Sequence, residues 1–305
     1  MSFRQRLFVF LGAVFLAGCI ASPTEPVIHL SDLQPLPPNA SRGVAPLRMA
    51  VAAVISPKGT VESYQPLLDY LSAKLNRPVE LVQRRTYTEI NDLVENGYVD
   101  VAFVCTSAYL AGYDEFGMEL LAAPQVNGEI TYYSLLIVPA DSPAQSMADL
   151  RNKVFAFTDP MSNSGRIYPT YLVKQLDSTP EAFFARTFFT YSHDDAIRAV
   201  ADRLADGAAV DSLVYDFAIA REPALAERIR VVHRSPPFGV PPVVVSPNTR
   251  PQLKAELQSL LLSLADDPQG QQALQTIGVE RFVLIDDSAY DSARELLTAV
   301  GPLLP

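Results

Sequence analysis

Lys153-Val154-Phe155-Ala156-Phe157-Thr158, followed at once by Asp159-Pro160-Met161-Ser162-Asn163-Ser164-Gly165, is the stretch on which the fold turns. An apolar, β-prone run breaks at an Asp-Pro turn, and a group of capping residues then opens a helix expected from about Gly165 to Leu176. Pro169 fits its first turn, where a missing N–H costs little. The same unit recurs on either side. Upstream, strands are expected at 47–55, 79–83 and 100–105, with helices at 63–75 and 88–95. A further strand covers 131–139 and leads into a short turn at 146–150. Downstream come a strand at 186–190, a helix at 193–204 and short strands at 209–214 and 229–233. A strand at 242–246 then returns, followed by helices near 250–265 and 269–277 and a last one within 286–300. Strand–helix alternation with short connections makes this an α/β chain with largely parallel sheets. Two such series and a returning strand predict two lobes joined by two crossovers, with the ligand site in the cleft between them.

Before the first strand the chain is of another kind. Residues 1–18 hold Arg4 and Arg6, an apolar stretch from Leu7 to Ala17, and Leu16-Ala17-Gly18 directly ahead of Cys19. The apolar part is too short to cross a hydrocarbon layer, which needs about 20 residues, and the layout is that of a secretion signal. It resembles a bacterial lipoprotein signal, with Cys19 lipidated and first in the mature chain. Residues 19–46, rich in proline, read as a tether. The expected location is the extracytoplasmic side of the cell envelope, lipid-anchored to a membrane.

Composition narrows the function. The 305 residues are 49% apolar and 19% charged, enough for a substantial core. The net charge of −10, about −12 once the two leader arginines are gone, argues against a nucleic-acid partner. An anionic ligand would have to be held by local dipoles and hydrogen bonds. With Cys19 lipidated, Cys105 lacks an intramolecular partner, so no disulfide framework is expected. Three histidines and one usable cysteine make a structural zinc site improbable. Cys105 lies in an apolar run with no basic neighbour, which argues against an enzyme built on Cys105 and His193.

The polar residues at the strand ends are the candidate site. Ser162, Asn163, Ser164 and Gly165 form an uncharged oxyanion cradle, with hydroxyl donors and the free N–H groups of a first helical turn. Tyr191-Ser192-His193-Asp194 opens the next helix of the same lobe, at the same end of the sheet. From the first lobe come Tyr87, one of Tyr132 and Tyr133 (adjacent strand residues face opposite ways), and Thr106 and Ser107 after the third strand. Asp211 and Tyr215 follow a strand ending near the cleft. They are candidates to accept a proton from a protonated oxyanion, which would discriminate against sulfate.

In this order the pieces resemble the phosphonate, phosphite and phosphate binding-protein family of bacterial ABC importers. The resemblance runs over roughly residues 47–290. Its carriers are Tyr-Gln-Pro-Leu-Leu-Asp-Tyr-Leu (64–71), Val-Asp-Val-Ala-Phe (99–103), Tyr-Tyr-Ser-Leu-Leu-Ile-Val (132–138), Asp-Pro-x-Ser-x-Ser-Gly (159–165), Ser-His-Asp (192–194) and Ala-Val-Asp-Ser (209–212). It implies a two-lobed periplasmic-binding-protein type II fold, with lobe 1 at 47–136 plus 238–305 and lobe 2 at 137–237. It also implies a monomer with no enzymatic activity, cofactor or metal, which delivers a small phosphorus oxyanion to an ABC permease. Ser162, Asn163, Ser164 and His193 are the implied oxyanion ligands, and Tyr87 and Tyr132 the cleft tyrosines. Members that bind aminoalkyl phosphonates carry acids where this chain has Phe217 and Ala218 and in the loop 236–242, which here has none. The departure favours phosphate, phosphite or methylphosphonate over a ligand bearing an amine. A sensor of the same fold signalling to a membrane kinase or cyclase is the alternative. Ferric-ion capture by Tyr132, Tyr133 and His193 is disfavoured by strand alternation.

Overall fold

The structure is a computed structural model that describes residues 45–302; the leader, Cys19 and nearly all of the tether lie outside the described residues. Its strands are β1 (Leu47–Val51), β2 (Val79–Gln83), β3 (Val101–Phe103), β4 (Glu119–Gln125), β5 (Thr131–Tyr132), β6 (Ser134–Pro139), β7 (Val154–Phe157), β8 (Arg186–Phe189), β9 (Gly207–Asp211), β10 (Ile229–Arg234), β11 (Phe238–Gly239), β12 (Val243–Val245) and β13 (Arg281–Val283). They form a six-stranded sheet in the order β13-β4-β12-β3-β1-β2 and a five-stranded sheet in the order β10-β6-β9-β7-β8. Each sheet is parallel at its heart, through β2-β1-β3 in one and β8-β7-β9 in the other. Antiparallel strands complete both on the side where the chain crosses over and returns. Strands buried on both faces read as unbroken apolar runs, as in β6, β9 and β12.

Between the two sheets, β5 and β11 pair antiparallel, Phe238 opposite Tyr132 and Gly239 opposite Thr131. These are the two crossovers. The single strand expected over 131–139 is therefore two, broken at Tyr133, and β6 already belongs to the second sheet. The C-terminal helix Asp291–Val300 packs on β11, on the helix Tyr168–Lys174 and on the turn Asn163–Ile167. Lys174 Nζ donates to Ala299 O at 2.9 Å, tying that helix to lobe 2 as well as lobe 1.

Local signals set the element ends that matter for the site. Thr86 and Glu89 form a capping box that starts the helix Tyr87–Glu95, making Tyr87 its first residue. Asp211 accepts hydrogen bonds from the N–H groups of Leu213 and Val214 and so caps a helix over Ser212–Arg221. The strand expected to run to Val214 stops at Asp211 for that reason. The expected helix 165–176 divides into a π-turn, Asn163–Ile167, and the α-helix Tyr168–Lys174. The helix Thr106–Phe116 and strand β4 have no counterpart among the expected elements. That helix buries Thr106 through Leu110 consecutively, so no amphipathic stripe betrays it.

Candidate functional site

The two sheets point their polar strand ends at one another, and the residues there are fully buried. Tyr87, Thr106, Tyr132, Thr158, Ser162 and Asn163 have no exposed surface, and Ser164 and His193 only 1%. Several backbone and side-chain hydrogen bonds hold the lobes together around them. Tyr87 N donates to Asp159 Oδ2 at 3.1 Å, His193 N to Val54 O at 2.9 Å, and Ser56 N to Asp194 Oδ1 at 2.7 Å. The Ser107 hydroxyl donates to Met161 O.

On the lobe 2 side, the π-turn widens the helix opening, so that Arg166 N and Ile167 N both bond Ser162 O. Ser162 Oγ accepts from Gly165 N at 3.0 Å, which leaves its own proton free. Ser164 Oγ has no partner and neither has Thr158 Oγ1, although both are buried. Asn163 Nδ2 donates to the Tyr132 hydroxyl at 3.1 Å while its Oδ1 is unpartnered. Gly165 is required by space: a Cβ there would collide with the Thr158 side chain. Next to the turn, Arg166 is turned away and stacked over Phe157, its guanidinium 4.3 Å from the ring centroid.

His193 is held in one tautomer. Its Nδ1 accepts from Asp211 N at 3.0 Å, so in the neutral ring the proton lies on Nε2, 3.5 Å from Ser162 Oγ. Burial pushes its pKa down to about 3, so it is a neutral donor across the physiological range. Asp211 goes the other way. Burial pushes its carboxyl up to about 7, against the pull of the Leu213 and Val214 N–H groups and with the help of Asp216. From lobe 1, the Tyr87 hydroxyl is buried without a partner. Desolvation raises both tyrosine pKa values far above ordinary, so each keeps a proton to donate. The Cys105 thiol is also raised by burial.

The expected site residues thus divide. Tyr87, Tyr132, Ser162, Asn163, Ser164, His193 and Asp211 converge at the lobe junction. Thr106 and Ser107 lie there too, but their protons go to Gly239 O (2.8 Å) and Met161 O, which makes them latches rather than donors to a ligand. Tyr215 does not reach the site. On the helix Ser212–Arg221 it lies opposite the face of Leu213, Asp216 and Phe217 and packs into the lobe 2 core. Tyr133 also diverges from Tyr132: Arg234 covers its ring at 3.4 Å, so the two tyrosines share no metal position. Thr158 was missed; a threonine closing a strand just before the Asp-Pro turn was the available signal. With six hydroxyl or imidazole donors, two oxygens able to accept and no lysine or arginine among the described residues there, the junction suits a small, partly protonated oxyanion.

Comparison with known proteins gives the family. The family model for periplasmic substrate-binding proteins of phosphonate ABC transporters matches residues 49–290. The phosphonates-binding periplasmic protein of Escherichia coli K12 is 23% identical over 265 residues, covering 85% of this chain and 78% of its own. A phosphate-import protein of Mycolicibacterium smegmatis is 31% identical over 163 residues, half of each chain. Among solved structures, the binding component of a Pseudomonas aeruginosa phosphonate ABC transporter superposes with a TM-score of 0.78 at 23% identity, covering 83% of this chain and 86% of that one. The chain belongs to the family of periplasmic phosphonate-binding proteins of ABC transporters, whose members bind solutes and are not enzymes.

Proposed function

We propose that the protein captures a small phosphorus oxyanion (phosphate, phosphite or an alkylphosphonate) for an ABC importer, while tethered to the membrane through a lipid on Cys19. Ser162, Ser164 and His193 Nε2 donate to the oxyanion from lobe 2, and Tyr87 and Tyr132 from lobe 1. The N–H groups opening the π-turn add a partial positive charge. Asn163 Oδ1 and Asp211 accept from a protonated ligand oxygen, which sulfate does not offer. The observation that carries the reading is the set of buried hydroxyls without partners, Tyr87 Oη, Thr158 Oγ1 and Ser164 Oγ, gathered beside a histidine fixed as a neutral donor. Buried polar groups are almost always hydrogen-bonded, and several unpaired together mark a ligand's place.

A thermal-shift panel of phosphate, phosphite, methylphosphonate, aminoethylphosphonate and sulfate tests the class. A ligand at 100 times its Kd adds about 2.7 kcal/mol. Stabilisation by at least one phosphorus oxyanion and none by sulfate is expected; stabilisation by sulfate alone contradicts it. For the anchor, Cys19→Ser should move the protein from membranes to the soluble fraction. Its full retention in membranes after a high-salt wash rules lipidation out.

A further inference from the structure

Beside the oxyanion cluster lies a chamber of about 350 Å³ between the lobes. Val54 and Asp211, which hold His193 by its backbone N–H and its ring, are themselves chamber walls. The chamber therefore begins one residue from the oxyanion donors. Its other walls are mainly apolar: Phe103 and Phe282 from lobe 1, Leu213 and Phe217 from the capped helix of lobe 2, and the returning segment Val240–Pro242. Phe103 packs edge-on to Phe282 at 5.9 Å and to Tyr64 at 5.3 Å, so the lobe 1 wall is a continuous aromatic surface. Phosphate, phosphite and methylphosphonate would leave this space unused.

We propose that the bound phosphonate carries an uncharged alkyl or aryl substituent, which fills this chamber while the phosphorus end is held by the oxyanion cluster. The proposal rests on the oxyanion reading above and names the substrate class for it. The walls offer an ammonium group little counter-charge. Of the two carboxyls that border the chamber, Asp211 gives Oδ1 to two backbone N–H groups, and Asp216 lies on the exposed rim. Burial of apolar substituent surface is favourable by about 0.8 kcal/mol per methylene, close to fourfold in affinity.

Calorimetry on the wild-type protein with methyl-, n-butyl-, phenyl- and aminoethylphosphonate reads this out. Butyl- or phenylphosphonate should bind at least tenfold tighter than methylphosphonate, and aminoethylphosphonate weakest. Phe217→Asp, a change on a partly exposed wall, should remove most of the butyl advantage while leaving methylphosphonate affinity within about threefold. Equal affinity for the methyl and butyl compounds, or preference for aminoethylphosphonate, overturns the chamber proposal and leaves the oxyanion reading standing. Failure of all four to bind overturns this proposal, and failure of phosphate and phosphite alongside them overturns the oxyanion reading as well. The wild-type series decides even if the variant does not fold.

Discussion

Asp211 performs three tasks from one position. Its side chain caps a helix, its N–H fixes the His193 tautomer, and it lines the chamber between the lobes. These roles have a pH signature. Its carboxyl is raised to about 7 in the fold, so between about pH 4 and pH 7 the folded protein holds more protons than the unfolded chain, and stability falls as pH rises. The loss reaches up to about 4 kcal/mol by pH 8. His193, lowered to about 3, has the opposite slope: the unfolded chain binds the proton first, so stability rises with pH between about 3 and 6.5. Asp211→Asn keeps a capping oxygen and removes only the first slope. Urea midpoints of the ligand-free variant should therefore match wild type near pH 4 and exceed it near pH 8. Parallel curves for the two proteins would show that the carboxyl is not held as described. Gly165 makes a second residue-scale case. Gly165→Ala drives a methyl into Thr158 and displaces the turn that presents Ser162 and Ser164. Phosphonate binding should be lost by more than a hundredfold at a stability cost of about 1–3 kcal/mol, as calorimetry and melting would record.

Among the elements, the Asp159–Gly165 connection does the most, because it faces both lobes. Asp159 Oδ1 accepts from Met161 N within its own turn while Oδ2 accepts from Tyr87 N across the cleft. Asp159→Ala should weaken ligand binding about tenfold or more, by the loss of a charged hydrogen bond worth roughly 1.5–3 kcal/mol. The change should appear mainly as faster dissociation in stopped-flow, since a closed complex has lost a clasp. Slower association with unchanged dissociation would point instead to a fault in the open form. This connection was legible in the sequence because turn and cap residues announce themselves after an apolar strand. So were Ser162, Ser164 and His193, since each follows a readable strand end. Tyr215 was not: once Asp211 is the cap, the residues after it wind as a helix, and Tyr215 turns to the opposite side from where a strand would send it. The fates of Thr106 and Ser107 depend on Gly239 and Met161, remote in sequence, and no local pattern encodes them. The helix Thr106–Phe116 escaped because burial on most sides erases periodicity.

At the scale of the molecule, two α/β lobes meet over a polar cluster on one side and an apolar chamber on the other, with the β5–β11 pair as the double crossing. Closing such a junction without a ligand leaves hydroxyls buried and unpaired, at roughly 1–3 kcal/mol each. On the proposed function the oxyanion would supply the missing partners, making ligand binding and closure one event energetically. Deleting one of these hydroxyls should therefore act with opposite signs on the free and the bound protein. The most direct measurement of this account is a paired one: calorimetric affinity for methylphosphonate and ligand-free melting temperature, for wild type, Tyr87→Phe in lobe 1 and Ser164→Ala in lobe 2. The account predicts that each variant melts no lower than wild type without ligand and binds roughly 10- to 100-fold more weakly. Wild-type affinity in both variants would contradict it.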